Sequence, residues 1–250
     1  MKATAEVSGG KLIISVIMAT YNHERYIRTA LESVLKQPYA PLEILVVDDG
    51  STDGTPELVA AVRDHTETPI QYVRQPNRGQ ASALNHGLRL ARGTIIAFLD
   101  SDDFWPADRL PSQLSFFSPI APKDRKPGIV LGRKERFTDG VSVNIAELTA
   151  ANRRPFHYSL SSSLFARWVF DTVGPFDETQ RLLSDWDWFV RAKEAGITMV
   201  SDSRTTVFGR IHTGNITRDR ALGAQLMVNM VKNHLNRIHK RRGMTDPHEP

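Results

Sequence analysis

Three carboxylates fall within four residues at Asp100-Ser101-Asp102-Asp103. Carboxylates this close repel one another and raise each other's pKa, so a folded chain tolerates them best beside a cation. A hard divalent ion such as Mg2+ or Mn2+ suits the set. It prefers oxygen ligands, takes one or two carboxylates, and fills its other positions with water and with phosphate oxygens of a substrate. The cluster therefore points to a metal and diphosphate site. The alternative is a solvated turn whose Asp residues cap the next helix. Position favours the first reading. The acids close the apolar run Ile95-Ile96-Ala97-Phe98-Leu99, which follows Gly93 and reads as a short buried strand. Open α/β sheets bind their ligands at the C-terminal ends of strands.

A second strand-like run, Leu42 to Val47, also ends in carboxylates, Asp48-Asp49, ahead of the turn-rich Gly50-Ser51-Thr52-Asp53-Gly54-Thr55. Several other chemistries are excluded. The chain has no Gly-x-Gly-x-x-Gly and no Gly-Lys-Ser/Thr loop, so phosphate must be held by metal. His23-Glu24 is not a zinc-protease pair, since Ile27 stands where the second His belongs. Asp49-x-Ser51-x-Asp53-Gly54 imitates the start of a calcium loop, but Ala60 occupies the place of the closing Glu. With no cysteine, disulfides and thiolate sites are ruled out and any metal must be held by Asp, Glu or His.

Elements that could position these acids follow from hydrophobic periodicity. Leu12 to Met18 reads as the first core strand, with Ile27, Ala30, Leu31, Val34 and Leu35 as the buried stripe of the next helix. Leu42 to Val47 follows, then a helix capped by Thr55 with Pro56 as its first residue. Ile70 to Val73 is a short third strand, and a helix with Ala81, Leu84, Leu88 and Ala91 on one stripe leads to Ile95. Strands alternating with helices predict an α/β fold with a mainly parallel sheet and flanking helices. Farther on, Asp108 to Phe117 reads as a helix, Ser118 to Gly128 as a linker, and Ile129 to Leu131 and Val141 to Val143 as strands. Ala150 to Ser163 reads as a mobile loop over the site. A helix opens at Leu182-Leu183-Ser184-Asp185-Trp186-Asp187-Trp188 and runs to Ala195, and Thr198 to Val200 and Thr206 to Ile211 are further strands. Met227, Met230, Val231, His234, Leu235 and Ile238 mark a C-terminal amphipathic helix.

At 250 residues, 40% hydrophobic and 24% charged, the chain has the composition of an ordinary globular protein. Its net charge of +4 is more than accounted for by Lys232, Arg237, Lys240, Arg241 and Arg242. Such local basicity argues against a nucleic-acid-binding face and leaves peripheral contact between the tail and anionic lipid open. No apolar run approaches the ~20 residues of a membrane span, and Met1 to Lys11 lacks the core of a signal peptide, so the expected address is cytoplasmic.

Three motifs together carry a resemblance. Ser15-Val16-Ile17-Met18-Ala19-Thr20-Tyr21-Asn22, Val46-Val47-Asp48-Asp49-Gly50-Ser51-Thr52-Asp53-Gly54-Thr55 and Phe98-Leu99-Asp100-Ser101-Asp102-Asp103 resemble, in order and spacing, a family 2 glycosyltransferase. Asn77-x-Gly79 and Ala83-x-Asn85-x-Gly87 lie between them, and Val173-Gly174-x-Phe176-Asp177-Glu178, Ser184-Asp185-x-Asp187 and Arg210-x-His212 resemble acceptor-side elements more loosely. The resemblance implies a GT-A fold, a nucleotide-diphosphate-sugar donor, Mn2+ or Mg2+, and inversion at the anomeric carbon. It divides the chain into a nucleotide-sugar half (1–118), an acceptor and catalytic-base half (119–217), and a C-terminal helix and basic tail (218–250).

Carried over position by position, Asp49 resembles the Asp that hydrogen-bonds the donor's base, with Ala19, Thr20 and Tyr21 lining the base pocket. An Asp there can accept from the N3–H of uracil, which cytosine lacks. Asp100 resembles the acid near the ribose and metal-bound water, and Asp102 the one bound directly to metal, with Ser101 between them in the donor-binding set. Asp48 is read as structural. Arg78 and Gln80 fall in the donor-binding loop, and His212 is a candidate further metal ligand, on one strand face with Arg210. Asp185 resembles the general base, although Ser184 stands where the usual Glu would precede it; Asp187, Trp186 and Trp188 are candidates to face the acceptor, against the commoner reading of a Trp pair in a helix as core.

The rivals are an inactive nucleotide-sugar-binding module of the same fold and a sugar nucleotidyltransferase. The second needs a glycine-rich basic loop that Ala19-Thr20-Tyr21-Asn22 does not supply. Processive relatives carry Gln-x-x-Arg-Trp; here Arg167-Trp168 is preceded by Leu164 in place of Gln, so one sugar per encounter is expected. The acceptor class is a glycan, a lipid-linked molecule or a protein.

Overall fold

The computed structural model describes residues 6–7, 10–11, 13–39, 42–117, 127–139, 159–180 and 184–213, with Val228, Lys232, His234 and Arg237. The expected strand at Val141 to Val143, the linker from 118 to 126, Leu182-Leu183 and most of the C-terminal helix lie outside them.

A two-residue pair, β1 (Glu6–Val7) and β2 (Gly10–Lys11), is antiparallel and separate from the main sheet. The main sheet is built from β3 (Ile14–Thr20), β4 (Leu42–Asp48), β5 (Ile70–Arg74), β6 (Ile95–Phe98), β7 (Ile129–Thr138), β8 (Leu164–Ala166) and β9 (Met199–Ile211). Its order is β5-β4-β3-β6-β8-β7-β9. Every pairing is parallel except those of β8 with β6 and with β7. Strands from both halves of the chain thus share one sheet. β3, β4 and β6 are apolar almost throughout because helices cover both faces.

The helices are α1 (Ile27–Leu35), α2 (Thr55–Arg63), α3 (Gln80–Leu90), α4 (Arg109–Leu114), α5 (Trp168–Val173) and α6 (Ser184–Glu194). α3 lies closely against β3 because residue 87 is glycine: a Cβ there would collide with the Ile17 side chain. α4 is shorter than the expected 108–117 helix and tightens into a 3-10 turn at Ser115–Phe117.

Three expectations are corrected. Thr55 is the first residue of α2, not its cap; its hydroxyl accepts from the His23 N–H (3.0 Å) across the loop, and Asp53 accepts from the Thr55 N–H (3.1 Å). The two strands expected at 198–200 and 206–211 are one 13-residue strand, β9, whose polar centre is absorbed by register shifts against Leu131 to Lys134. Buried Asp202 satisfies that irregular stretch by accepting from the Arg204 N–H (3.0 Å) and the Ser112 hydroxyl. The end of the expected mobile loop is instead a buried turn at Leu160–Ser162, because the buried Arg109 guanidinium donates to the carbonyls of Ser161 (2.5 Å) and Ser163 (3.0 Å).

Candidate active site

The C-terminal ends of β3, β4 and β6 lie side by side, so their loops meet. Asp48 is structural, as expected: fully buried, it accepts from the Tyr72 hydroxyl (2.5 Å) and the Ser51 N–H (2.7 Å) and fixes the turn after β4. Asp49 is 4% exposed and accepts from Gln75 Nε2 (2.9 Å), the Arg78 N–H (2.9 Å) and the Gly79 N–H (2.8 Å). The last two donors belong to the turn into α3, where Gly79 has a φ of 90° that favours glycine. Two of the bonds fall on Oδ1 and one on Oδ2, so Oδ2 keeps a lone pair for a further donor. Gln75 is itself held by His86 (2.9 Å). Arg78 and Tyr21 are exposed, and Thr20 is buried with an unpartnered hydroxyl.

The acids after β6 divide between roles. Asp103 is 3% exposed; its Oδ1 accepts from the Arg210 N–H (2.9 Å) and its Oδ2 from Lys134 Nζ (2.6 Å). Asp100 accepts from Lys134 Nζ (3.3 Å) and Gln80 Nε2 (3.3 Å). Lys134 reaches this pocket from β7 over Gly209 of β9, where a Cβ would collide with its side chain. Burial works against the Lys134 charge, but Asp103 and Asp100 overcome it and hold the ammonium protonated, above its ordinary value.

Asp102 lies in a cluster of possible metal ligands. Its Oδ2 lies 3.0 Å from Nε2 of His212, which follows β9. One ligand atom each from His23, Asp102 and His212 lie within 4.8 Å of one another, a donor set that fits a divalent cation. His23 is held by the loop after β3. Asn22, at a φ of 53°, donates its N–H to Ser51 Oγ (2.9 Å), and its side chain accepts from the Thr52 N–H (2.7 Å). Arg210 does not present a free guanidinium to a diphosphate. It donates to the Asp102 carbonyl (3.1 Å) and Asp139 (2.7 Å), with its guanidinium over the rings of Tyr26 and Phe137.

Asp185 lies in the first turn of α6, where its Oδ1 accepts from the Trp186 N–H (2.9 Å). Burial pushes its carboxyl up to about 6, and the charge of Asp100 adds to the rise although backbone N–H donors oppose it. Its neighbours serve the scaffold. Asp187 is buried and paired with Arg191 (2.9 Å) and Arg237 (3.2 Å), and Trp188 is fully buried against Phe170 at 4.7 Å. The acceptor-facing reading of Asp187 is therefore corrected, and of the two readings of Trp188 the core one holds; Trp186 is partly exposed. Asn85 of α3 clamps the segment before α6, bonding both the N–H and the carbonyl of Phe176 (2.9 Å each) and Glu178 (2.8 Å).

The profile of "Glycosyl transferase family 2" matches residues 15–170, more than half of the chain. The chain belongs to that family. An uncharacterized glycosyltransferase of Nostoc sp. is 39% identical over 104 residues, 42% of this chain and 32% of that protein, so the chain spans about a third of that relative's length. A PGL/p-HBAD biosynthesis glycosyltransferase of Mycobacterium tuberculosis is 29% identical over 180 residues, 72% of this chain and 69% of that one. Among solved structures, the mannosyltransferase PcManGT of Pyrobaculum calidifontis, in complex with GDP-Man and Mn2+, superposes with a TM-score of 0.71 at 24% identity, covering 93% of this chain and 66% of that one. TarS of S. aureus with UDP-GlcNAc gives 0.67 at 22% identity, covering 82% and 60%. These structures share the GT-A fold with this family 2 chain.

Two residues of this family 2 site escaped sequence reasoning. In the sequence His23 reads only as half of an incomplete protease pair, and its distance along the chain from Asp102 and His212 hides their convergence. Lys134 sits in the charged run Arg133-Lys134-Glu135-Arg136, which does not alternate cleanly as a strand. Among the described residues no helix is long and apolar enough to cross a membrane.

Proposed function

We propose that the chain moves one sugar from a nucleotide-diphosphate donor, with uridine as the favoured nucleoside, to a hydroxyl of a glycan, lipid-linked or protein acceptor, with inversion. The observation that carries this reading is Asp185: a carboxyl raised to about 6 lies within the electrostatic reach of Asp100 and Lys134, and Asp100 is two residues from Asp102 of the cation-binding set. A group with that pKa is ionised at neutral pH yet basic enough to take a proton. Asp185 removes the acceptor hydroxyl's proton while the acceptor oxygen bonds to the anomeric carbon. The bond from that carbon to the phosphate oxygen breaks, and its electron pair leaves with the nucleoside diphosphate. Asp102 and His212 would hold Mn2+ or Mg2+, which when bound supplies charge neutralisation for the diphosphate.

Asp49 offers the remaining lone pair of Oδ2 to the N3–H of the donor's base, with Ala19, Thr20 and Tyr21 along the same pocket. Gln80 steadies Asp100 near the ribose, Arg78 covers the loop, and Ser101 holds the neighbouring turn. Lys134 keeps Asp100 and Asp103 neutralised so that the pocket folds around its acids.

Mass spectrometry of early products with excess donor tests the reading. A product heavier by one sugar is expected; a ladder of long products at low acceptor conversion would contradict single transfer, and donor binding without turnover for any acceptor would favour the inactive binding module.

A further inference from the structure

We infer that His23 is a third protein ligand of the cation, making a two-imidazole, one-carboxylate site that takes its metal before any donor arrives. This rests on the proposed function only in placing the cation at Asp102 and His212. One ligand atom from each of the three side chains lies within 4.8 Å of the others, and all three are partly buried. Ligands around a cation at bond lengths of about 2.0–2.2 Å sit roughly 3–3.5 Å apart, so convergence asks for side-chain shifts of about 1 Å.

Both rings are already oriented from behind. His23 Nδ1 lies 2.6 Å from Ser101 Oγ, a hydroxyl of a residue only 2% exposed. When Nδ1 donates to that oxygen, the lone pair is left on Nε2, the outer-sphere arrangement that fixes a ligating imidazole. The His212 ring packs on Tyr26 at 4.7 Å, and the Tyr26 hydroxyl donates to Asp139 (3.0 Å). The backbone around His23 is tied to the loop after β4 by the His23 N–H to Thr55 (3.0 Å) and the Glu24 N–H to Asp53 (3.0 Å). Lys134 meanwhile engages Asp100 and Asp103, so two nitrogens and one carboxylate converge where the sequence shows three acids.

That change of donor atoms changes the metal. Imidazole suits transition ions, whereas Mg2+ is served by oxygen and water. Three protein ligands also supply half of an octahedral shell without phosphate. The donor-free protein should therefore bind Co2+ and Zn2+ more tightly than Mn2+, and all three at least tenfold more tightly than Mg2+.

The test is a Co2+ titration of the full chain without nucleotide, followed by visible absorption, with Mg2+ affinity taken by competition. The expected result is one equivalent of Co2+ bound, weakened tenfold or more by His23→Gln and by Asp102→Ala. His23→Gln at wild-type affinity with Asp102→Ala impaired overturns the inference and leaves the proposed function standing. Both variants at wild-type affinity overturn it together with the placement of metal in the proposed function. Mg2+ binding as tight as Co2+, or no Co2+ binding up to millimolar, also overturns it. Should His23→Gln fail to fold by circular dichroism, Ser101→Ala decides: it keeps every ligand and frees the ring, so severalfold weaker Co2+ binding supports the inference and unchanged binding overturns it.

Discussion

Asp185→Asn should do two opposite things at once, slow the reaction and stabilise the fold. The carboxyl of Asp185 sits at about 6 instead of its ordinary 3.8. An acid raised on folding binds its proton more tightly in the folded state, so stability falls as pH climbs from about 4 to about 6 and the full penalty is present above that. Two units at 1.36 kcal/mol each give about 3 kcal/mol. Because the group is only partly buried and the replacing amide must also leave water, a net gain of about 1–2 kcal/mol is expected in the variant. Asn retains an oxygen to accept from the Trp186 N–H, so the helix start is undisturbed. Urea unfolding at pH 7.5 and at pH 4 measures this: the variant should be more stable at the first and equal at the second. In the same protein the turnover rate should drop by roughly 10²–10⁴ with donor affinity little changed, and wild-type kcat/KM should rise tenfold per pH unit to a plateau above about 6. Equal stability at pH 7.5, or a wild-type rate flat between pH 5 and 7, would refute the reasoning.

Asn85→Ala removes the bonds that hold Phe176 and Glu178 and leaves buried backbone groups of Phe176 without a partner; a loss of about 2–3 kcal/mol by urea unfolding is expected, with a fall in turnover as the approach to α6 loosens. Gly87→Ala should cost about 1–3 kcal/mol through its collision with Ile17 Cγ2, and Ile17→Ala, which deletes that atom, should cost less by urea unfolding in the Gly87→Ala chain than in the wild type.

How far the sequence could be read depended on whether the signal was local. β3, β4 and β6 are buried on both faces, so each is a compact apolar run, and the acids at the ends of β4 and β6 follow directly. The division of labour among Asp100, Asp102 and Asp103 was not local, because Lys134 and Arg210 arrive from β7 and β9 to occupy two of them. Likewise Asp187 looked as available as Asp185 two residues away, and only its pairing with Arg191 and Arg237 sets it apart. β9 reads as two strands in the sequence because Ser201 to Thr205 is polar, and a bulged strand whose buried Asp202 is satisfied by Arg204 and Ser112 has the composition of a turn.

The proposed reaction is sugar transfer with a metal held at Asp102. Time-resolved proton NMR of a UDP-sugar panel with Mn2+ and candidate acceptors measures it directly. Release of UDP coupled to a product of inverted anomeric configuration is expected, both abolished by chelator and by Asp102→Ala; full turnover in excess chelator, or in the Asp102→Ala protein, would rule out a metal role for Asp102.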